Sequence, residues 1–218
     1  MNRETVRRRI EEIGIIPAIR LSSAEDAIFA VEAVAEHGIP VAEVTMTVPG
    51  CTDVIHELAW KHPDLIVGAG TVLDKDTAER CVDAGARFIT SPGLDLEVVE
   101  FARQQGVVVF PGAMTPTEIM AAWKAGADFV KVFPCSTLGG VSYIRTLRAP
   151  FPDVPFIASG GVSQQTAGDF FRAGALAIGV GRDLISPEAV RRREKDWIRE
   201  LAHRLLQIVT EARAPVEA

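Results

Sequence analysis

The sequence predicts an α/β fold, a (β/α)8 TIM barrel with an extra helix at its N-terminus. Short apolar, β-branched runs alternate strictly with longer stretches of helical spacing, and the pair recurs eight times in the 218 residues. Strict alternation implies parallel strands covered by helices, and eight units suit a closed barrel better than an open, doubly wound sheet. With 48% hydrophobic residues and no shift of composition that would mark a linker, the chain is expected to bury one core as a single domain over 1–218.

The strands are expected at 15–21, 41–47, 65–72, 88–91, 107–110, 129–133, 156–159 and 175–180. Helical stretches fall between them, at 24–36, 53–61, 76–84, 96–104 and 116–125 among others. Most open on Ser, Thr or Asp, whose side chains cap the first free N–H groups of a helix. Several close on glycine, as at Gly38, Gly85 and Gly126, the residue that tolerates the left-handed turn after a helix. Ahead of the first strand, Val6, Ile10 and Ile13 share one stripe of an amphipathic helix that could plug the N-terminal end of the barrel. From about residue 212 the chain reads as a frayed end.

A formal net charge of -6 argues against a broad basic face, so neither nucleic acid nor a membrane surface is expected as a partner. Cys51, Cys81 and Cys135 are scattered and odd in number, which points to free thiols in a reducing compartment. The charged N-terminus offers no signal peptide, and no apolar stretch is long enough for a membrane span, so a cytoplasmic protein is expected. His37, His56, His62 and His203 fall in helices or at their ends and read as surface residues. No His/Asp/Glu set has ligand spacing, so neither a metal nor another cofactor is expected.

In a barrel of this kind the active site lies at the C-terminal ends of the strands, where Arg20, Glu43, Thr45, Thr47, Thr71, Ser91, Lys131 and Ser159 are the polar candidates. Of the five lysines, Lys61, Lys75, Lys124 and Lys195 lie in helices or loops with charged neighbours. Lys131 instead sits in Asp-Phe-Val-Lys-Val-Phe-Pro, where alternation places Phe129, Lys131 and Phe133 on one face. Burial penalises an ammonium and favours the neutral amine, the form that attacks a carbonyl to give a Schiff base. A structural lysine, snorkelling to the rim or paired with an internal carboxylate, is the competing explanation. Glu43 is likewise an acid amid apolar residues and faces the same way as Thr45 and Thr47; it could shuttle protons, or form a buried ion pair with Lys131 and nothing more. Strands seven and eight end in Ser159-Gly160-Gly161 and Gly179-Val180-Gly181-Arg182, the usual phosphate loops of the fold. Glycines there admit an anion to backbone N–H groups and Arg182 could add charge, although either glycine pair alone is more often just a turn.

The chain resembles the family of 2-keto-3-deoxy-6-phosphogluconate (KDPG) and 4-hydroxy-2-oxoglutarate (KHG) aldolases from about Gly14 to Leu184. The resemblance is carried by 15–20 (Ile-Ile-Pro-Ala-Ile-Arg), Glu43-Val44-Thr45, 67–72 (Val-Gly-Ala-Gly-Thr-Val), Ser91-Pro92-Gly93, Pro111-Gly112, Lys131-Val132-Phe133-Pro134 and Gly160-Gly161. It implies that Lys131 forms the Schiff base and Glu43 relays protons, while Thr71, Pro92 and Phe133 shape a pyruvyl pocket. It also implies that the Gly160-Gly161 loop and the turn near Gly181 and Arg182 bind a distal phosphate or carboxylate. The phosphogluconate enzymes of the family usually carry arginine where this chain has Thr47, and the family often has serine where it has Arg182; Arg20 is the candidate replacement for the missing charge, and Arg20 or Arg182 is expected to carry the substrate's distal anion.

The activity so implied is reversible class I cleavage of a small 2-keto acid to pyruvate and an aldehyde, with no metal, in a homotrimer such as relatives commonly form. Two other functions suit the same barrel. One is a phosphosugar isomerase or epimerase with Glu43 as base and Lys131 as an electrostatic clamp; the other is a non-catalytic keto-acid-binding protein.

Overall fold

Each apolar run ends in a polar or glycine-bearing turn, so the chain returns through a helix before the next parallel strand begins. The computed structural model describes residues 1–214. It opens on α1 (Arg3–Ile13) and β1 (Ile15–Ile19), followed by α2 (Ala24–Glu36), β2 (Val41–Thr45), α3 (Cys51–Lys61), β3 (Ile66–Gly70), α4 (Lys75–Asp83), β4 (Phe88–Thr90) and α5 (Leu96–Gln104). The second half runs β5 (Val108–Phe110), β6 (Gly112–Ala113), α6 (Pro116–Lys124), β7 (Val130–Val132), α7 (Val141–Arg148), β8 (Phe156–Ser159), α8 (Gln164–Arg172), β9 (Ala177–Val180), α9 (Pro187–Arg191) and α10 (Lys195–Arg213). Ser23, Asp74, Asp95 and Thr115 cap α2, α4, α5 and α6, each accepting from the N–H three residues on.

All strand pairs are parallel, in the order β5-β4-β3-β2-β1-β9-β8-β7-β6. The expected fifth strand, 107–110, is found as β5; pairing then resumes past its expected end in β6, beyond Pro111, which has no N–H to give a ladder. Strand β5 pairs with β4, and β6 with β7. There the barrel closes: the N–H groups of Asp128, Lys131 and Phe133 donate to the carbonyls of Val109, Pro111 and Ala113 at 2.9, 3.0 and 3.1 Å. The eight expected β/α units are therefore present.

Most strands are shorter than their apolar runs. Strands β1, β2 and β3 end at Ile19, Thr45 and Gly70, so Arg20, Thr47 and Thr71 lie in the loops just beyond. Helix α3 begins at Cys51, two residues ahead of expectation, because Gly50 supplies a left-handed N-cap (φ 64°) that needs no capping side chain. The expected fraying at 212 is corrected too: α10 continues through Arg213, whose guanidinium donates to the carbonyls of Glu11, Glu12 and Leu176. The rest of that expected frayed end, residues 215–218, lies outside the described residues.

Alternation along the strands divides the apolar residues between two cores. Outward side chains such as Ala42, Val44, Val67 and Ile89 pack beneath the helices. Inward ones, Ile16, Val41, Ile66, Phe88, Val108, Phe110, Phe129, Ile157 and Ala177, fill the N-terminal half of the barrel, and Val6 and Ile10 of α1 cover them as a plug. The plug is latched by Asp128, whose carboxylate accepts from Arg3 Nε at 3.0 Å and from the Val109 N–H at 2.8 Å. Asp128→Ala leaves that buried N–H unpaired and frees Arg3. The variant is expected to lose about 1–3 kcal/mol of unfolding free energy in a urea titration, with α1 amides gaining the most in hydrogen exchange. An unchanged unfolding midpoint would show that the latch contributes nothing.

Candidate active site

Above the apolar half of the barrel the inward positions change character. The register sets Ala18 beside Glu43, Glu43 beside Gly68, and Ser159 beside Gly179. Among the described residues the buried polar side chains are Glu43, Thr45, Thr90, Ser91, Lys131, Ser159 and Asp128, and of these Asp128 alone belongs to the N-terminal end. Polarity inside the barrel is thus confined to the end where the fold places active sites.

Small residues make the room that these groups occupy. A Cβ on Gly70 would collide with the Glu43 carboxylate, and one on Gly68 with the Phe88 ring. The stretch Val67-Gly68-Ala69-Gly70 is therefore a strand with its inward side vacant, and Glu43 stands in the vacancy. A Cβ on Gly112, the register partner of Lys131, would overlap the Pro92 carbonyl. Its absence lets the Ser91-Pro92-Gly93 loop close in beside the lysine, with Ser91 Oγ donating to the Gly93 carbonyl at 2.6 Å.

Lys131 Nζ lies 3.5 Å from Glu43 Oε2, with side chains only 8% and 4% exposed. Burying two opposite charges costs several kcal/mol each, and only tight geometry with further hydrogen bonds recovers it. This pair is longer than the usual 2.7–2.9 Å of a charge-assisted bond, and among the described residues Glu43 is the sole hydrogen-bond partner of Nζ. A structural ion pair accounts poorly for that looseness. Both groups line a cavity and are open to a molecule within it.

That cavity has a volume of 310 Å³ and is lined by Ala18, Arg20, Glu43, Thr71, Pro92, Lys131, Phe133, Ser159, Gly160, Gly161, Val162, Gly179, Gly181, Arg182 and Asp183. The structure thus gathers every site residue singled out from the sequence except three. Ser91 is held in the loop beside the lysine, and Thr45 and Thr47 stand behind Arg20. Thr45 is fully buried and donates to the Ile19 carbonyl at 3.0 Å; its Oγ1 is 2.7 Å from Thr47 Oγ1, which accepts from an Arg20 terminal nitrogen at 3.3 Å. The other terminal nitrogen of Arg20 donates to Thr71 Oγ1 at 3.2 Å. Thr71 adopts φ 61°, a left-handed conformation that costs a β-branched residue about 1–3 kcal/mol and tends to mark functional sites.

At the other loops, Gly160 and Gly161 are both left-handed (φ 87° and 82°), and a Cβ on Gly161 would strike Ser136 Oγ. Among the described residues, the N–H groups of Gly160, Gly161, Val162, Gly181 and Arg182 donate to no protein acceptor, and Arg182 has no carboxylate partner. Unpaired amides ahead of α8, beside a guanidinium, make a site for an anion. The three thiols are not nucleophiles: burial pushes Cys51 up to about 12 and both Cys81 and Cys135 up to about 11.

Gly179 was already in the expected loop after the last strand, and its missing Cβ, which would come 2.7 Å from Ser159 Oγ, leaves room there. The lining residues Ala18, Val162 and Asp183 were not assigned to the site from the sequence. Ala18 carried a signal, a small residue at the inward position between Ile16 and Arg20. Val162 and Asp183 carry none, because only the course of the loops brings them to the cavity.

The sequence model of the KDPG and KHG aldolases matches residues 6–201. A probable 2-dehydro-3-deoxy-6-phosphogalactonate aldolase of Rhizobium meliloti is 36% identical, the match covering 81% of this chain and 84% of that protein. The KHG/KDPG aldolase of Escherichia coli K12 is 30% identical over 88% of this chain and 91% of its own. Among solved structures, a KDPG aldolase from Legionella pneumophila with pyruvate captured as a covalent carbinolamine superposes with a TM-score of 0.84. It is 28% identical, the match covering 90% of this chain and 96% of the other.

Gly70→Ala forces Glu43 from its place without touching a titratable group. Turnover at this site is expected to fall by about two to four orders of magnitude, as for Glu43→Gln, in a variant that keeps its circular dichroism spectrum. Undiminished turnover in folded Gly70→Ala would mean that the vacancy on β3 does not position Glu43.

Proposed function

The chain belongs to the KDPG and KHG aldolase family, and on that premise we propose how its cavity works. The protein is a class I aldolase, a carbon–carbon lyase that reversibly cleaves a 2-keto acid to pyruvate and an aldehyde through a Schiff base. Its substrates are of the type of 2-dehydro-3-deoxy-6-phosphogluconate, which yields glyceraldehyde 3-phosphate, or 4-hydroxy-2-oxoglutarate, which yields glyoxylate. The observation that carries the residue assignment is the loose, buried approach of Lys131 Nζ to Glu43 Oε2 at the cavity.

The Lys131 amine attacks the C2 carbonyl to give a carbinolamine, and loss of water, with Glu43 passing the proton, leaves a protonated imine. The imine is the electron sink. Glu43, directly or through a water, takes the proton of the C4 hydroxyl as the C3–C4 bond breaks; the aldehyde departs and the electron pair becomes the enamine of pyruvate. Protonation at C3 and hydrolysis return Lys131 and free pyruvate. A neighbouring carboxylate also steadies the positive imine, the state in which the pair is most complementary.

Thr71, Pro92 and Phe133 enclose the pyruvyl half, and Arg20, hydrogen-bonded to Thr71, reads the substrate's carboxylate there. Arg182 and the unpaired amides of Gly160, Gly161 and Gly181 hold the distal anion, with Ser159 beside them. We further propose that 1–218 acts as one domain in a cytoplasmic homotrimer. Three buried free thiols suit a reducing compartment, and exposed Leu96, Met114, Met120 and Trp123 offer apolar surface for subunit contact. No helix among the described residues is long and apolar enough to cross a membrane.

Borohydride reduction in saturating pyruvate is expected to leave one reduced pyruvyl group per chain, located at Lys131 by peptide mass analysis and lost in Lys131→Ala. An adduct confined to a surface lysine such as Lys75, or none at all, would refute the class I mechanism. Arg182→Ala separates the two ends of the substrate: it is expected to raise KM for the phosphorylated acid about tenfold or more while leaving pyruvate trapping intact. A KM equal to wild type for both phosphorylated and carboxylated substrates would remove Arg182 from the distal site.

A further inference from the structure

Thr47, expected from the sequence to line the cavity, is absent from its wall. The structure assigns it a different role, in which Thr47 and Thr45 form a hydroxyl relay that positions the Arg20 guanidinium for the carboxylate of the 2-keto acid. The assignment rests on the aldolase mechanism above and names positioning residues that the mechanism itself does not require.

The direction of every proton in the relay follows from its far end. A carbonyl oxygen can only accept, so the Thr45 hydroxyl, 3.0 Å from the Ile19 carbonyl, spends its one proton there. Across the 2.7 Å contact between the two hydroxyls, Thr47 must therefore be the donor and Thr45 the acceptor. The Thr47 proton is then committed, and only its lone pairs remain for the terminal nitrogen of Arg20 at 3.3 Å. A hydroxyl free to rotate would meet a guanidinium with its proton part of the time; this one cannot.

The relay also returns to its origin. Ile19 is the residue before Arg20, so the chain of bonds runs from the Arg20 side chain through the end of β2 and back to the peptide from which that side chain springs. Arg20 is exposed and sits past the end of β1, where a long side chain would otherwise sample many rotamers. With Thr71 accepting from its second terminal nitrogen at 3.2 Å, the guanidinium is held at two corners. Among the described residues no carboxylate lies within ion-pair distance of it, so its charge and its remaining N–H groups are left for a substrate. The cation comes from the end of β1, and the end of β2 serves as its support.

The test measures pyruvate half-saturation by borohydride trapping, together with kcat and KM for cleavage, in Thr47→Val, Thr47→Ser, Arg20→Ala and the Thr47→Val/Arg20→Ala double variant. Thr47→Val keeps the shape of threonine and removes the hydroxyl. It is expected to raise both the half-saturation and KM about three- to tenfold, the loss of one hydrogen bond to a charged group, with a much smaller change in kcat and a full adduct at saturation. Thr47→Ser should restore wild-type values, and in the Arg20→Ala background the valine should add nothing beyond about twofold. A merely structural threonine would lower kcat and stability together, and its effect would persist without Arg20; either result overturns the relay. A wild-type adduct with unchanged half-saturation in Thr47→Val overturns the relay alone, whereas absence of the wild-type adduct overturns the aldolase mechanism and the relay with it. Thr47→Ala carries the same test if the valine variant does not fold.

Discussion

Holding a lysine and a glutamate inside a barrel is the constraint on which the rest of this structure depends. A parallel barrel of this size is normally filled with branched apolar side chains, and an ionisable pair in that interior needs both space and neighbours that do not exclude it. Space comes from glycine on three surrounding strands: Gly70 beside Glu43, Gly112 beside Lys131 and Gly179 beside Ser159. The same pair sets a limit on packing. Were it drawn to the distance of a tight salt bridge, Lys131 would be a structural residue; at 3.5 Å it stays available to the cavity.

The two ends of the barrel divide stability from chemistry. The N-terminal half is sealed by Val6 and Ile10 over a ring of Ile, Val and Phe, and its buried acid, Asp128, is engaged by Arg3 and a backbone N–H. The C-terminal half has the opposite properties: a loose ion pair, a left-handed threonine and, among the described residues, backbone amides without partners and an arginine with no counter-ion. The buried ion pair and the left-handed threonine cost free energy, and the packed half offsets it.

Strand ends around the mouth converge on one cavity, and Arg20 reaches it from the end of β1. A long side chain in that place needs support, and the two hydroxyls at the end of β2 together with Thr71 after β3 provide it.

Much of this was legible in the sequence. Lys131 stood out because alternation fixed its face and an apolar strand surrounded it; Glu43 stood out in the same way. The order of strands and helices followed from hydrophobic period, and the plug from the spacing of Val6, Ile10 and Ile13. Other features waited on tertiary structure. The resumed pairing beyond Pro111, the early ends of β1, β2 and β3, and the entry of Val162 and Asp183 into the cavity depend on which neighbour each backbone finds across the barrel. The same holds for Thr45 and Thr47, expected to line the cavity and found behind Arg20. Period and composition decide which way a side chain faces along its own strand. They do not decide which hydroxyl on the next strand will meet it, because that pairing is made between residues far apart in the chain and exists only once the barrel has closed.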